Sequence, residues 1–139
     1  MEPIPIFVDA FLAPVRDSAV AQVAIAAVLV LMLLDVVFGV VKALMSKSFT
    51  SSAMREGIGH KCASLGFIVV GIVVDGAVAA GLDLGFENPV LVAVCVYLAL
   101  MEVASLLETF AAMNPQLADS PVFRLLESSK VIEKPEGTD

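Results

Sequence analysis

Three long runs of apolar residues, separated by short polar segments, dominate the chain. They cover residues 19–41, 62–84 and 89–107. Each run has about the 20 residues that an α-helix needs to cross the hydrocarbon core of a bilayer. The pattern predicts an all-α membrane protein with three transmembrane helices, which account for nearly the whole chain.

The segments beside these runs have patterns of their own. Residues 4–15 place apolar side chains at helical spacing, which predicts an N-terminal amphipathic helix on the outer interface or on the bundle. Ser51 and Ser52 are suited to cap a short helix that starts near Ala53, and another short helix is expected after Pro121. The predicted order is an N-terminal amphipathic segment (1–18), transmembrane helix 1 (19–44), a basic cytoplasmic loop (45–61), transmembrane helix 2 (62–84), an outer loop (85–88), transmembrane helix 3 (89–108) and a cytoplasmic tail (109–139) that contains the short C-terminal cytoplasmic helix.

The composition agrees with a membrane location. Apolar residues make up 59% of the 139 residues and charged residues 17%, which leaves too few polar side chains to cover three apolar helices in water. One such helix could belong to the core of a large soluble protein, but three in so small a chain favour the bilayer. Residues 1–18 lack a basic n-region, so the first run is expected to stay in the mature protein instead of leaving as a signal peptide.

Basic residues are distributed unevenly between the two connections. The second connection carries Asp83 and Glu87 and no cation, whereas the first carries four cations. Short loops rich in Lys and Arg remain in the cytoplasm, so we expect the N-terminus outside and the C-terminal tail inside. The predicted topology and headgroup anchors are Lys42, Lys47, Arg55 and Lys61.

Each predicted span contains one internal acid: Asp35, Asp75 and Glu102. A charged side chain at the bilayer centre costs about 2.5–3.5 kcal/mol on insertion scales, so these acids are not expected to face lipid. Protonation, pairing with a cation, or a position facing a polar interior would each reduce that cost. The acids therefore indicate the faces through which the helices contact one another.

Small residues share a helix face with the acids. Asp35 is followed at i+4 and i+8 by Gly39 and Ala43, and a similar spacing occurs around Asp75 and, more weakly, around Glu102. Such residues allow helix backbones to approach closely in lipid, which favours a homo-oligomer or, alternatively, a monomeric three-helix bundle. The predicted helix-packing or lumen-facing residues are Asp35, Gly39, Ala43, Gly71, Asp75, Ala79 and Glu102.

Catalytic motifs are not recognisable in the sequence. Cys62 and Cys95 lie within predicted spans, and the single histidine, His60, has no partner at metal-ligand spacing. The cysteines are expected to pack as small apolar residues, and His60 is expected at the membrane interface. We therefore predict no catalytic, cofactor-binding or metal site, and no nucleic-acid partner.

Two motifs resemble one known family. The segment LLDVVFGVVKALMSKSFTSSAMREGIGHK, residues 33–61, is similar to the toxin secretion/phage lysis holin family, whose members show an aspartate, a glycine and a lysine at this spacing. A serine-rich turn and an R-x-G-I segment then follow in the family, as they do here. MEVASLLETF resembles the family's closing span, in which a glutamate, here Glu102, precedes an S-[IL]-[IL]-E-N element. Thr109 stands in place of the usual asparagine.

The resemblance implies a phage or prophage holin, which oligomerises in the bacterial cytoplasmic membrane and forms lesions that release an endolysin or, in some relatives, a large toxin. The implied partners are further copies of the chain, the lipid bilayer, and an endolysin that need not touch the holin. Two alternatives remain open from the residues alone. Intramembrane acids suit a small ion or proton transporter or channel subunit equally well, and the tail could serve a structural membrane scaffold.

Overall fold

The computed structural model describes residues 6–81 and 89–128. All regular structure within these residues is helical, in the order α1 (Ile6–Arg16), α2 (Ala19–Met45), α3 (Ser51–Gly81), α4 (Pro89–Met113), α5 (Pro115–Ala118) and α6 (Pro121–Ser128). Three helices are long and apolar enough to cross a membrane, namely α2, α3 from Met54 to Gly81, and α4. The prediction of an all-α membrane protein with three transmembrane helices is confirmed.

The helix bounds differ from the prediction at the first connection. α2 ends at Met45 and α3 begins at Ser51, so the connection comprises residues 46–50 only. Residues 51–61, predicted as part of a cytoplasmic loop, form the first turns of α3. Gly57 and Gly59 weaken a helix by only about 1 kcal/mol each, and no proline interrupts the segment.

Several predicted features lie outside the described residues. These are the start of the amphipathic segment (1–5), the end of transmembrane helix 2 (82–84), the outer loop (85–88) and the tail beyond residue 128.

α2 ends in a Schellman motif. The Ser48 backbone N–H donates to the Ala43 carbonyl at 3.1 Å, and the Lys47 N–H donates to the Leu44 carbonyl at 3.4 Å. Lys47 has a φ of 53°, in the left-handed region that usually favours glycine. This turn directs the chain straight back into α3.

α4 lies at the centre of the bundle. α2 packs mainly on α4, and α3 packs on α1 and α4, whereas α2 and α3 touch only sparsely. Only 11%, 22% and 33% of the apolar windows of α2, α3 and α4 are buried within the chain, so most of their apolar surface is left for lipid. The main core contains Ala21, Val28, Met32, Ile68, Leu91, Cys95 and Leu98.

α1 packs on the C-terminal half of α3. A Cβ atom at Gly76 would lie 2.8 Å from the Phe11 Cα, so the close approach of the two helices depends on glycine. Arg16, at the end of α1, forms ion pairs with Asp9 and Asp17. The hydrogen bond from the Arg16 guanidinium lowers the pKa of the Asp17 carboxyl. The same hydrogen bond, with the one to Asp9, raises the pKa of Arg16.

α6 folds back on the last turns of α4. Its Phe123 side chain is buried against Ala104, with Leu107 and Ala111 beside it. The Ser120 hydroxyl accepts a hydrogen bond from the Phe123 N–H at 3.3 Å, which stabilises the first turn of α6. The region after α4 is thus held against α4 through Phe123.

Candidate functional site

An ionic triad joins the three long helices. Lys61 of α3 lies between Asp35 of α2 and Glu102 of α4. The Lys61 Nζ is 2.8 Å from the Asp35 Oδ2, and it also donates to the Glu102 Oε2. The side chains of Lys61, Asp35 and Glu102 are 19%, 16% and 7% exposed, so the triad is largely removed from solvent.

The triad forms because its members lie at the same level of three helices that alternate in direction. Asp35 lies ten residues before the end of α2, Lys61 ten residues after the start of α3, and Glu102 eleven residues before the end of α4. At 1.5 Å per residue, each position is about 15 Å from the helix end at the side of the first connection. The triad therefore lies well inside the bundle, not at its rim.

The charges of the triad do not balance. If all three groups are ionised, two carboxylates share one ammonium and the formal charge is −1. Removing an ion from water costs several kcal/mol, and only good geometry and additional hydrogen bonds offset that cost. Among the side chains that the structure describes, no buried nitrogen or oxygen lacks a hydrogen-bond partner. The arrangement is held together by Lys61, because neither acid pairs directly with the other.

Asp75 occupies a different position from the other two acids. Its Oδ2 accepts a hydrogen bond from the Leu91 N–H at 2.8 Å, and its Oδ1 accepts one from the Val90 N–H at 3.2 Å. Pro89 begins α4 and has no N–H, so Asp75 binds the first two free donors of that helix. The carboxylate thus caps α4 from α3, on the end opposite to the first connection.

Comparison with known proteins identifies the family. The model of the bacteriophage holin family matches residues 19–120, which include α2, α3, α4 and the triad. The chain belongs to the bacteriophage holin family. No curated protein and no solved structure matches the chain significantly. The suspected family is confirmed, and the membrane character of the holin fold agrees with its three apolar helices.

The small residues of this holin differ in what they contact. Gly71 is buried on α4, where an added Cβ would lie 3.1 Å from the Leu91 Cα. A Cβ at Gly39 would meet no atom within 4 Å, and Ala43 is only half-buried. Ala79 is exposed. Gly71 therefore serves packing within the holin chain, whereas Gly39, Ala43 and Ala79 leave open faces.

The four predicted anchors of the holin also separate into two kinds. Lys42, Lys47 and Arg55 are exposed near the connection between α2 and α3. Lys61 instead lies between two acids, because residues 51–61 are helical and carry it about 15 Å away from the connection. Its contact with Asp35 and Glu102 differs from the predicted headgroup contact.

Potential metal ligands do not cluster in the described part of the holin. No group of three or more His, Cys, Asp or Glu side chains there could hold a metal ion. Cys62 is exposed and Cys95 is buried beside Leu91 and Leu98. The triad and the Asp75 cap join the long helices through polar contacts.

Proposed function

We propose that this chain oligomerises in the cytoplasmic membrane of a bacterial host and forms lesions that release an endolysin, or a large toxin, for lysis or secretion. The observation that carries the proposal is the Asp35–Lys61–Glu102 triad, which ties together the three spans of a holin-family chain. A lesion requires subunits with an apolar surface toward lipid and a polar face that can line water. The triad supplies such a polar face, turned inward in the single chain.

Assembly would expose the triad to water. In the dispersed chain the two acids share Lys61, and their attraction to it favours the closed bundle. In bulk water the attraction between two charges is about a quarter of its strength near a protein surface, so hydration makes separation easier. Asp35 and Glu102 would then line the lesion, and Gly39, Ala43 and Ala79 would provide contacts between copies.

The topology follows from the basic residues of the first connection. We place the N-terminus outside and residues 46–50 in the cytoplasm. The endolysin is a functional partner that passes through the lesion, and no direct contact with it is needed. The chain has no catalytic role in this scheme.

Expression in bacteria tests the proposal directly. The chain is induced with and without a cytoplasmic endolysin while cell density and membrane potential are recorded. Sudden lysis is expected only when both proteins are present. Loss of potential without passage of the endolysin would instead indicate an ion channel or transporter. Lysis that disappears on deletion of residues 114–139, with no membrane damage left, would indicate a scaffold.

The triad is tested by the time at which lysis begins. Asp35→Asn removes the ionic contact between α2 and α3, while the ion pair between Lys61 and Glu102 remains. We therefore expect lysis to begin earlier at equal protein level. Asp119→Asn is the control, because Asp119 is an exposed acid at the end of α5. Unchanged onset and extent of lysis in Asp35→Asn would refute the role of this carboxylate.

A further inference from the structure

A cleft lies between α2 and the first turns of α3, where these two helices diverge. It has a volume of about 330 Å³, within the range of cavities that bind small molecules. Its floor includes Gly39, Ala43 and Gly57, and no atom lies within 4 Å of a Cβ added at either glycine. The described chain therefore leaves this space unfilled.

The walls of the cleft are apolar and open to the surroundings. Val36 and Val40 of α2 face Phe49, Met54 and Ile58 across it. These five side chains are 37–56% exposed, although all except Phe49, which lies in the 46–50 connection, are on helices of membrane-spanning length. An apolar surface of this kind at the level of the bilayer suits a hydrocarbon chain.

Three exposed cations lie next in sequence to residues that line the cleft. Residues 42–60 contain three Lys or Arg cations, Lys42, Lys47 and Arg55, and one carboxylate, Glu56. All four side chains are exposed. Lys47 directly precedes Ser48, and Arg55 directly follows Met54, both of which line the cleft. Cations at this end of an apolar cleft would attract a negative group that is attached to the hydrocarbon chain.

The conformation of Lys47 adds an independent observation. Its left-handed φ of 53° is a conformation in which a residue with a Cβ costs about 1–2 kcal/mol. A lysine nevertheless occupies this position of the Schellman motif, where glycine would cause no strain. The strained turn places a cation beside the mouth of the cleft.

We propose that the cleft between α2 and α3 binds an anionic phospholipid, with one acyl chain between the two helices and the phosphate near Lys47 and Arg55. Lys61 and Asp35 close the inner end of the cleft through their ion pair. In the dispersed chain a helix of a second copy, about 10–12 Å wide with its side chains, is a poorer match to a cleft of this volume. The contacts proposed between copies at Gly39 and Ala43 belong to the assembled state. The site belongs to the dispersed chain, so it does not depend on the proposed lesion.

Spin-labelled lipids test the site in the full chain. The protein is reconstituted in phosphatidylcholine bilayers with a trace of spin-labelled phosphatidylglycerol or spin-labelled phosphatidylcholine, and the motionally restricted fraction is measured. We expect a severalfold preference for phosphatidylglycerol. Lys47→Asn, which tolerates the left-handed conformation, and Arg55→Gln should each reduce that preference by up to about fivefold. Arg124→Gln removes a cation from α6, which does not line the cleft, so this substitution should leave the preference for phosphatidylglycerol unchanged.

A second pair of variants tests the location. Gly57→Leu fills the cleft and should lower the number of restricted lipids, whereas Gly59→Leu, at an equally open position that does not line the cleft, should not. Circular dichroism checks that both variants remain helical, and chemical crosslinking reports their oligomers. The proposal is overturned if both spin-labelled lipids are restricted to the same extent, or if the two leucine substitutions change the number of restricted lipids equally. It is also overturned if Gly57→Leu changes the crosslinked oligomers but not the number of restricted lipids. Lysis is not a readout here, so this result is independent of the test of the proposed function.

Discussion

At the scale of single residues, Lys61 differs from the other cations near the first connection because two carboxylates hold it inside the bundle. Lys42 is exposed on α2, and its loss leaves no acid of the triad unpaired. Loss of Lys61 leaves both Asp35 and Glu102 in a largely buried position without their cation. Breaking a buried ion pair by removal of one partner is much more costly than removal of an exposed charge.

Lys61→Gln should therefore lower the free energy of unfolding by about 2–3 kcal/mol. This loss is somewhat smaller than that for removing one partner of a fully buried ion pair, because Gln retains a hydrogen-bond donor. Lys42→Gln, the matched control, should change it by less than about 0.5 kcal/mol. Reversible unfolding in mixed micelles with sodium dodecyl sulfate, followed by circular dichroism, measures both values. Equal effects of the two substitutions would contradict the structural role of the triad.

Asp75 shows how a buried acid can be satisfied without a cation. It is 2% exposed, and its two oxygens accept the N–H groups of Val90 and Leu91. These donors would otherwise be unpaired at the start of α4, where the helix dipole also favours a negative charge. The acid therefore stabilises the start of a neighbouring helix as well as its own position.

Substitution of Asp75 should act on the first turn of α4. Asp75→Ala removes both acceptors and should cost about 1–2 kcal/mol, whereas Asp75→Asn keeps one acceptor oxygen and turns an NH2 donor toward the other N–H, so it should restore only part of this loss. Hydrogen exchange at the Val90 and Leu91 amides measures the effect at the contact itself. If these amides exchange as slowly in Asp75→Ala as in the unchanged protein, the cap is not the source of their protection.

At the scale of elements, α3 consists of two differently packed halves. Nearly every described residue of its N-terminal half is exposed as far as residue 67, apart from Lys61 and Ser64. Its C-terminal half packs on α4 at Gly71 and on α1 at Gly76. The N-terminal half thus depends on the triad for its position, while the other half is held by backbone-to-backbone packing.

The packing of α1 on α3 should be sensitive to one methyl group. Gly76→Ala places a Cβ 2.8 Å from the Phe11 Cα, so α1 must shift, and overpacking of this kind costs about 1–3 kcal/mol. Gly66→Ala adds the same methyl group to α3 at an open position and should stabilise the helix by up to about 1 kcal/mol. We expect faster hydrogen exchange in α1 only for Gly76→Ala. Exchange that is unchanged in both variants would show that α1 is not held through this contact.

At the scale of the whole molecule, the sequence predicts the helices better than the contacts between them. Hydropathy locates the spans because each must cover a bilayer with apolar side chains. Hydropathy does not predict the partner of Asp35, because it assigns Lys61 to a loop, although residues 35 and 61 are symmetric about residue 48, the middle of the 46–50 connection. The pairs 61/102 and 75/90 have nearly equal midpoints, 81.5 and 82.5, as expected for the antiparallel helices α3 and α4. Antiparallel helix pairs bring together residues at equal distances from their turn, so the start of α3 was the missing information.

The exposed charges at the two ends of the bundle predict the orientation of the chain in the membrane. Lys42, Lys47 and Arg55 lie near the first connection, and Arg124 of α6 is at the same end because α6 docks on the last turns of α4. At the opposite end, the described cation Arg16 is paired with two acids of its own segment. From the positive-inside rule we therefore expect the first connection in the cytoplasm.

Cysteine labelling in intact cells tests this orientation before any lesion forms. In a background where Cys62 and Cys95 are replaced by alanine, Asp17→Cys, at the exposed junction of α1 and α2, should react with a membrane-impermeant maleimide from outside. Ser48→Cys should react only after the membrane is opened, because it follows Lys47 in the cytoplasmic connection. A soluble cytoplasmic thiol protein must stay unlabelled, which shows that the membrane is still closed. The reverse labelling pattern would place the basic connection on the outer face of the membrane, together with the cleft between α2 and α3. The triad would then be about 15 Å from the external end of the helices.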